Sequence, residues 1–158
     1  MLASLSLISC APNAEKEQAE FDYKVERFAD LGILRYEVTG FDELTLDQKK
    51  LIYYLQEAAL QGRDILFDQN GKWNLAIRKT LETVYTDYQG DRTTDEWAAF
   101  ETYTKQVWFA NGIHHHYSSD KFLPAFSAEF FAEAVKSVDA NKLPVRDGET
   151  VEDLIATL

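Results

Sequence analysis

Thr93 to Gly112 reads TTDEWAAFETYTKQVWFANG. Thr93, followed three residues later by Glu96, has the form of a capping box, in which hydroxyl and carboxylate each satisfy a backbone N–H at a helix start. Trp97, Phe100, Val107 and Trp108 then return at intervals that gather side chains on one helical face. Asn111-Gly112 closes the run with the two residue types that enter the left-handed conformation most readily. The stretch is predicted as an amphipathic helix, and the same pattern recurs on both sides of it.

Upstream, Trp73 to Tyr88 places Ile77, Leu81, Val84, Tyr85 and Tyr88 on one stripe and stops at Gln89-Gly90. Before it, Thr45 is placed as an N-cap with Asp47 in the first turn, and Leu46, Leu51, Ile52, Leu55, Ala58 and Ala59 recur at helical spacing. That helix is expected to reach Gln61-Gly62 and to resume through Ile65, Leu66 and Phe67 before Asn70-Gly71 ends it. Downstream, Ser127 caps a helix to about Val138, Pro144 and Asp147-Gly148 mark a loop, and Thr150 opens a last helix with Asp153 at its third position. Only Phe21 to Val38, with FDYKVERF and ILRYEV ending at Thr39-Gly40, reads as extended. The expected fold class is therefore mainly α, an α+β chain with one or two short N-terminal strands.

Composition narrows the function classes. A chain of 158 residues with 46% hydrophobic and 13% aromatic content can bury a real core. A formal charge of -11 leaves no basic stripe to neutralise a phosphate backbone, so nucleic acid is a poor partner. No stretch approaches the roughly 20 apolar residues that span a bilayer. Met1 to Ser9, MLASLSLIS, instead resembles the apolar h-region of a secretory signal, and Leu7-Ile8-Ser9-Cys10 resembles a bacterial lipoprotein box. That resemblance implies lipidation at Cys10, the single cysteine, and attachment to the bacterial cell envelope through a lipid anchor. The expected layout is a signal region at 1–9, a flexible tether at 10–20 and one body at 21–158. The last helical run is still apolar at Leu158, which we read as a chain interrupted at its C-terminus.

Chemistry is sparse. Every histidine lies in one triplet, His114-His115-His116, where hydrolytic zinc sites draw ligands from several elements. In an extended loop His114 and His116 share one side and His115 takes the other, so two imidazoles at most approach one ion. Three readings stay open for the triplet: a weak metal site, a hydrogen-bonded and packed loop, or the border of a ligand cleft. Asp68-Gln69-Asn70-Gly71 lacks the ligand spacing and closing Glu of a calcium loop and reads as a turn. Arg63-Asp64 with Glu57 is either a buried ion pair or a solvated helix face. There is no G-x-S-x-G elbow and no phosphate-cradling glycine loop.

Two strings carry a family resemblance: FADLGILRYEVTGFDELTLDQKKLIYYLQEAALQGRDILFDQNGKWNLAIRKTLETVY at Phe28 to Tyr85, and VWFANGIHHHYSSDKFLPAF at Val107 to Phe126. Together they resemble bacterial members of the dipeptidyl peptidase III family. The resemblance runs from about Phe28 to Leu158 and implies the helical N-terminal part of a two-lobed zinc peptidase that removes dipeptides from the N-terminus of short peptides. It also implies a zinc site in an H-E-x-x-x-H helix and a later Glu-bearing helix, neither of which occurs in this sequence. Zinc is therefore expected in a full-length protein and not on this chain, which alone should be catalytically inactive. The resemblance assigns the segment from His116 to Phe122 to the loop that lines the pocket for the substrate's N-terminal side chain. Tyr117 is the closest match for a substrate-binding residue, followed by His116 and Asn111.

Two functions are thus expected from different classes. The first is a fragment of a zinc dipeptidyl peptidase, supplying cleft wall and scaffold to short peptides and to the remainder of the lobes. The second is a free-standing helical envelope lipoprotein that binds a peptide or protein partner without catalysis.

Overall fold

The computed structural model describes residues 21–158. The signal region, Cys10 and the tether lie outside the described residues, so those expectations have no structural counterpart. The described chain is mainly α-helical, with one two-stranded antiparallel sheet near its start. Among these residues no helix is long and apolar enough to cross a membrane.

Strands β1, Lys24–Phe28, and β2, Leu31–Leu34, form a hairpin in which Phe28 pairs with Leu31 and Lys24 with Leu34. The two-residue connection needs positive φ, which Ala29 supplies at 47° although it is not glycine. An irregularity between Lys24 and Glu26 breaks the ladder's register. The hairpin is largely exposed, and an ion-paired chain ties it to the helices: Lys105 bonds Glu26 on β1 and Glu101 one helical turn away.

Six α-helices follow: α1, Leu46–Gln61; α2, Arg63–Asn70; α3, Asn74–Asp87; α4, Asp95–Ala110; α5, Ala128–Lys136; and α6, Val151–Thr157. Their starts are set by local hydrogen bonds. Thr45 accepts from Gln48 N–H while Gln48 reaches back to the Thr45 backbone, and Thr150 with Asp153 repeats the same reciprocal box. Ser127 caps α5 by accepting from Phe130 N–H.

The start of α4 differs from the expectation. Thr94, not Thr93, is the N-cap and accepts from Trp97 N–H, while the Thr93 hydroxyl donates to Asp91. Glu96 leaves the box altogether, its carboxylate accepting from Ser127 N–H at 2.8 Å. Either threonine satisfies a local cap pattern; Thr94 takes the role while Thr93 bonds Asp91 and Glu96 serves the start of α5.

The core forms where α3 and α4 pack and α2, α5 and α6 close over them. Phe67, Leu81, Val84, Trp97, Phe100, Val107, Val135 and Leu154 are buried there. Each such side chain contributes about 1.5–3 kcal/mol of transfer free energy. Trp97 lies parallel to Tyr88 with ring centroids 5.0 Å apart, and the Arg92 guanidinium sits 4.6 Å from its ring. Helix α1 contributes no buried residue: Leu46, Leu51, Ile52, Tyr53, Tyr54 and Leu55 are all exposed. Periodicity foretold the helix correctly, yet the stripe it marks has no partner among the described residues.

Candidate functional site

The site builds outward from the end of α4. Asn111 adopts the left-handed conformation at φ 55°, and its N–H bonds Val107 C=O, ending the helix with the motif anticipated for Asn-Gly. Gly112 follows at φ 154°, buried, in backbone space that other residues rarely enter. The chain then runs into a small hairpin: Phe122 N–H bonds Ile113 C=O at 2.8 Å, His115 N–H bonds Asp120 C=O at 2.7 Å, and His114 bridges Lys121.

The extended arrangement considered for the triplet does not persist past His115. Ser118 N–H returns to His115 C=O at 3.1 Å, which makes His116 and Tyr117 the corner of a turn. Strand alternation therefore fails, and the rings of His115 and His116 come together with centroids 4.3 Å apart. His115 Nδ1 accepts from Tyr117 N–H at 3.2 Å. His116 also meets the Phe109 ring edge-on at 5.0 Å. Ser118 bonds the Asp120 carboxylate at 2.9 Å and closes the tip.

The second wall comes from the corner between α2 and α3. Asn70 donates through Nδ2 to Asn111 C=O at 3.2 Å, and Asn74 Oδ1 accepts from Ile113 N–H at 3.3 Å. Between this corner and the histidine turn lies a cavity of about 350 Å³, lined by Asn70, Asn74, Asn111, His114, His115 and His116, among others. Its lining carries no charge when the imidazoles are neutral and offers amide and ring groups that donate and accept hydrogen bonds.

Of the three residues assigned from the family resemblance, Asn111 and His116 both line this cavity. Tyr117 does not. It is 88% exposed, and its ring leans on that of His116 with centroids 4.2 Å apart. Sequence reasoning missed Asn70 and Asn74, which read there as a turn residue and an unremarked helix start. The recurrence of Asn-Gly at two predicted helix ends, Asn70-Gly71 and Asn111-Gly112, was the available signal.

The other expected constellations resolve into structure. Asp64 pairs with neither Arg63 nor Glu57; it accepts from Arg78 at 2.7 Å and Lys79 at 3.1 Å on the next helix. Lys79 foremost, with Arg78, holds the Asp64 carboxyl below its ordinary range despite some desolvation. Arg78 is itself buried with its guanidinium 4.9 Å from the Phe67 ring, so the cluster staples α2 onto α3. Asp68 to Asn70 form the last turn of α2, with Gly71 at its end. A second cavity of about 300 Å³, bounded by Ile77, Leu81, Tyr103, Phe126 and Phe131, is apolar. Burial there pushes the Tyr103 hydroxyl pKa up.

Among the described residues no three His, Cys, Asp or Glu side chains converge as a metal site needs. Set against models of protein families and against curated proteins, the chain matches none.

Proposed function

We propose that this chain is a wall-forming part of a zinc-dependent dipeptidyl peptidase, and that the pocket between the α2–α3 corner and the histidine turn receives a short peptide. The observation that carries the reading is the joining of Asn111 and His116 around one polar cavity, with Tyr117 stacked beside His116. Amide groups of Asn70 and Asn111 and the imidazoles of His114 and His116 offer donors and acceptors to a peptide main chain, and Tyr117 offers an exposed ring for a side chain. Zinc, in this reading, is held by residues of an H-E-x-x-x-H helix and a later Glu-bearing helix outside this sequence. When bound there it supplies a Lewis acid and an activated water. The lipid anchor expected at Cys10 would hold the enzyme at the bacterial cell envelope.

Titration with tetra-alanine, followed through histidine and tyrosine NMR resonances, tests the pocket. We expect His116 and Tyr117 signals to move saturably and Trp97, deep in the core, to stay. The chain by itself should release no dipeptide with or without added zinc. Dipeptide release by these 158 residues, or a peptide that leaves His116 and Tyr117 unaffected, would sink the reading.

The exposed apolar residues of α1 favour the second reading, a helical envelope lipoprotein whose partner is another protein. It is distinguished by the same titration: peptide would leave the histidine turn untouched, and a protein partner would protect Leu51 and Leu55 instead.

A further inference from the structure

Asn74 stands out among the cavity's residues because it is 2% exposed, sits at the first turn of α3, and reaches across to a segment 39 positions further along the chain. A buried primary amide is costly unless its polar atoms find partners. Asn74 spends its oxygen on the Ile113 N–H, the last backbone donor before the histidine turn, while Nδ2 has no partner among the described atoms. Space for that amide exists only because two glycines flank it. A Cβ at Gly71 would lie 2.9 Å from Asn74 Nδ2, and one at Gly112 would lie 2.3 Å from it. Asn70, one turn earlier, ties the carbonyl of Asn111 to the same corner. Two amides from the α2–α3 corner therefore hold the backbone on both sides of Gly112.

We propose that Asn74, seconded by Asn70, is the positioning residue of the histidine turn: it sets the direction in which the chain leaves α4 and hence where His115 and His116 face the cavity. Neither asparagine is drawn into this role by core packing alone. An apolar residue of equal size would fill the space between Gly71 and Gly112, but would leave Ile113 N–H buried without a partner and the departure angle unfixed. The inference concerns the geometry of the turn, and only its affinity readout rests on the peptide-binding reading above.

The test compares Asn74→Leu, Asn74→Asp, Asn70→Ala and, as a core control in α3, Thr80→Val. The readouts are the imidazole resonances of His114, His115 and His116 at pH 7 and the affinity for tetra-alanine. Asn74→Leu should displace the His115 and His116 resonances and weaken tetra-alanine roughly tenfold, the equivalent of one lost hydrogen bond. Asn74→Asp keeps an acceptor at the Ile113 N–H and, although its charge perturbs the nearby imidazoles, should restore the protection of that amide from hydrogen exchange that Asn74→Leu loses. Thr80→Val should leave them in place whatever it does to stability. If Asn74→Leu does not fold, Asn70→Ala decides, because Asn70 is exposed and its loss should still move the Asn111 amide and the His116 ring. Unmoved histidine resonances in the folded Asn74→Leu or Asn70→Ala variant would overturn the proposal. Displaced resonances with unchanged tetra-alanine affinity would uphold the positioning role and count against the peptide-binding reading alone.

Discussion

Single residues decide how the pocket's back wall closes. Gly71 has φ 167°, extended backbone open to any residue, so the only obstacle to a side chain there is the Asn74 amide at 2.9 Å. Because Asn74 is buried and cannot swing away, Gly71→Ala is expected to destabilise the chain by about 1–3 kcal/mol through overpacking. In an Asn74→Ala background the same substitution should be markedly milder, giving a coupling of about 0.5–3 kcal/mol in a double-mutant cycle of denaturant unfolding. Strict additivity would show that the two positions do not meet. Gly112 makes a poorer test, since its φ of 154° adds backbone strain to the clash. Residue-level signals were partly readable in advance: Asn111 at a helix end followed from its chemistry, whereas Asn74 is one asparagine among several until the fold carries Ile113 to it.

Among the elements, α1 is the outlier. Its Thr45–Gln48 box and apolar spacing make it a helix, but none of its residues is buried. Helices in water draw most of their stability from packing an amphipathic face, so a helix with capping and propensity alone should be the first to fray. Replacing Leu51 and Leu55 together by Ser is expected to shift the thermal midpoint by less than about 2 °C, since surface changes stay within roughly 0.5 kcal/mol. Contiguous exposed apolar surface favours association, so the same pair should lower self-association in sedimentation. A large loss of stability would mean that α1 packs against the body after all. The β1–β2 hairpin is held differently, through Lys105 between Glu26 and Glu101, a link between segments that no local pattern announces.

At the scale of the molecule, carboxylates set the response to acid. Lys105 foremost holds the Glu101 carboxyl below its ordinary range, and Lys79 foremost does so for Asp64. Thr93 hydrogen bonds do the same for Asp91, and those of Thr150 for Asp153. A carboxyl whose folded pKa is lowered contributes stability that is present above its ordinary value of about 4 and disappears as pH falls through the lowered one. The thermal midpoint should therefore be level from pH 7 to about 5 and fall below about pH 4, with the hairpin and the α2–α3 staple loosening together. On the alkaline side, burial opposes the Lys105 charge but Glu101 and Glu26 outweigh it and raise its pKa. Its contribution is complete below the ordinary value of about 10.4 and is lost only as pH rises through the raised one. A midpoint that does not fall between pH 5 and pH 3 would remove these ion pairs from the account.

Local chemistry alone determined the mainly helical class, the breaks at Gly62 and Gly71, the caps at Thr45, Ser127 and Thr150, and the left-handed end at Asn111. Each depends on hydrogen bonds or dihedral preferences within a few residues, which the sequence displays directly. Tertiary structure decided what needs distant partners. Ser127 drew Glu96 away from the capping box, Arg78 and Lys79 took Asp64 from Arg63, and the turn at His115 set two imidazoles side by side. The candidate site belongs to this second group, because a cavity between the α2–α3 corner and the end of α4 exists only once hydrogen bonds spanning about forty residues have closed it.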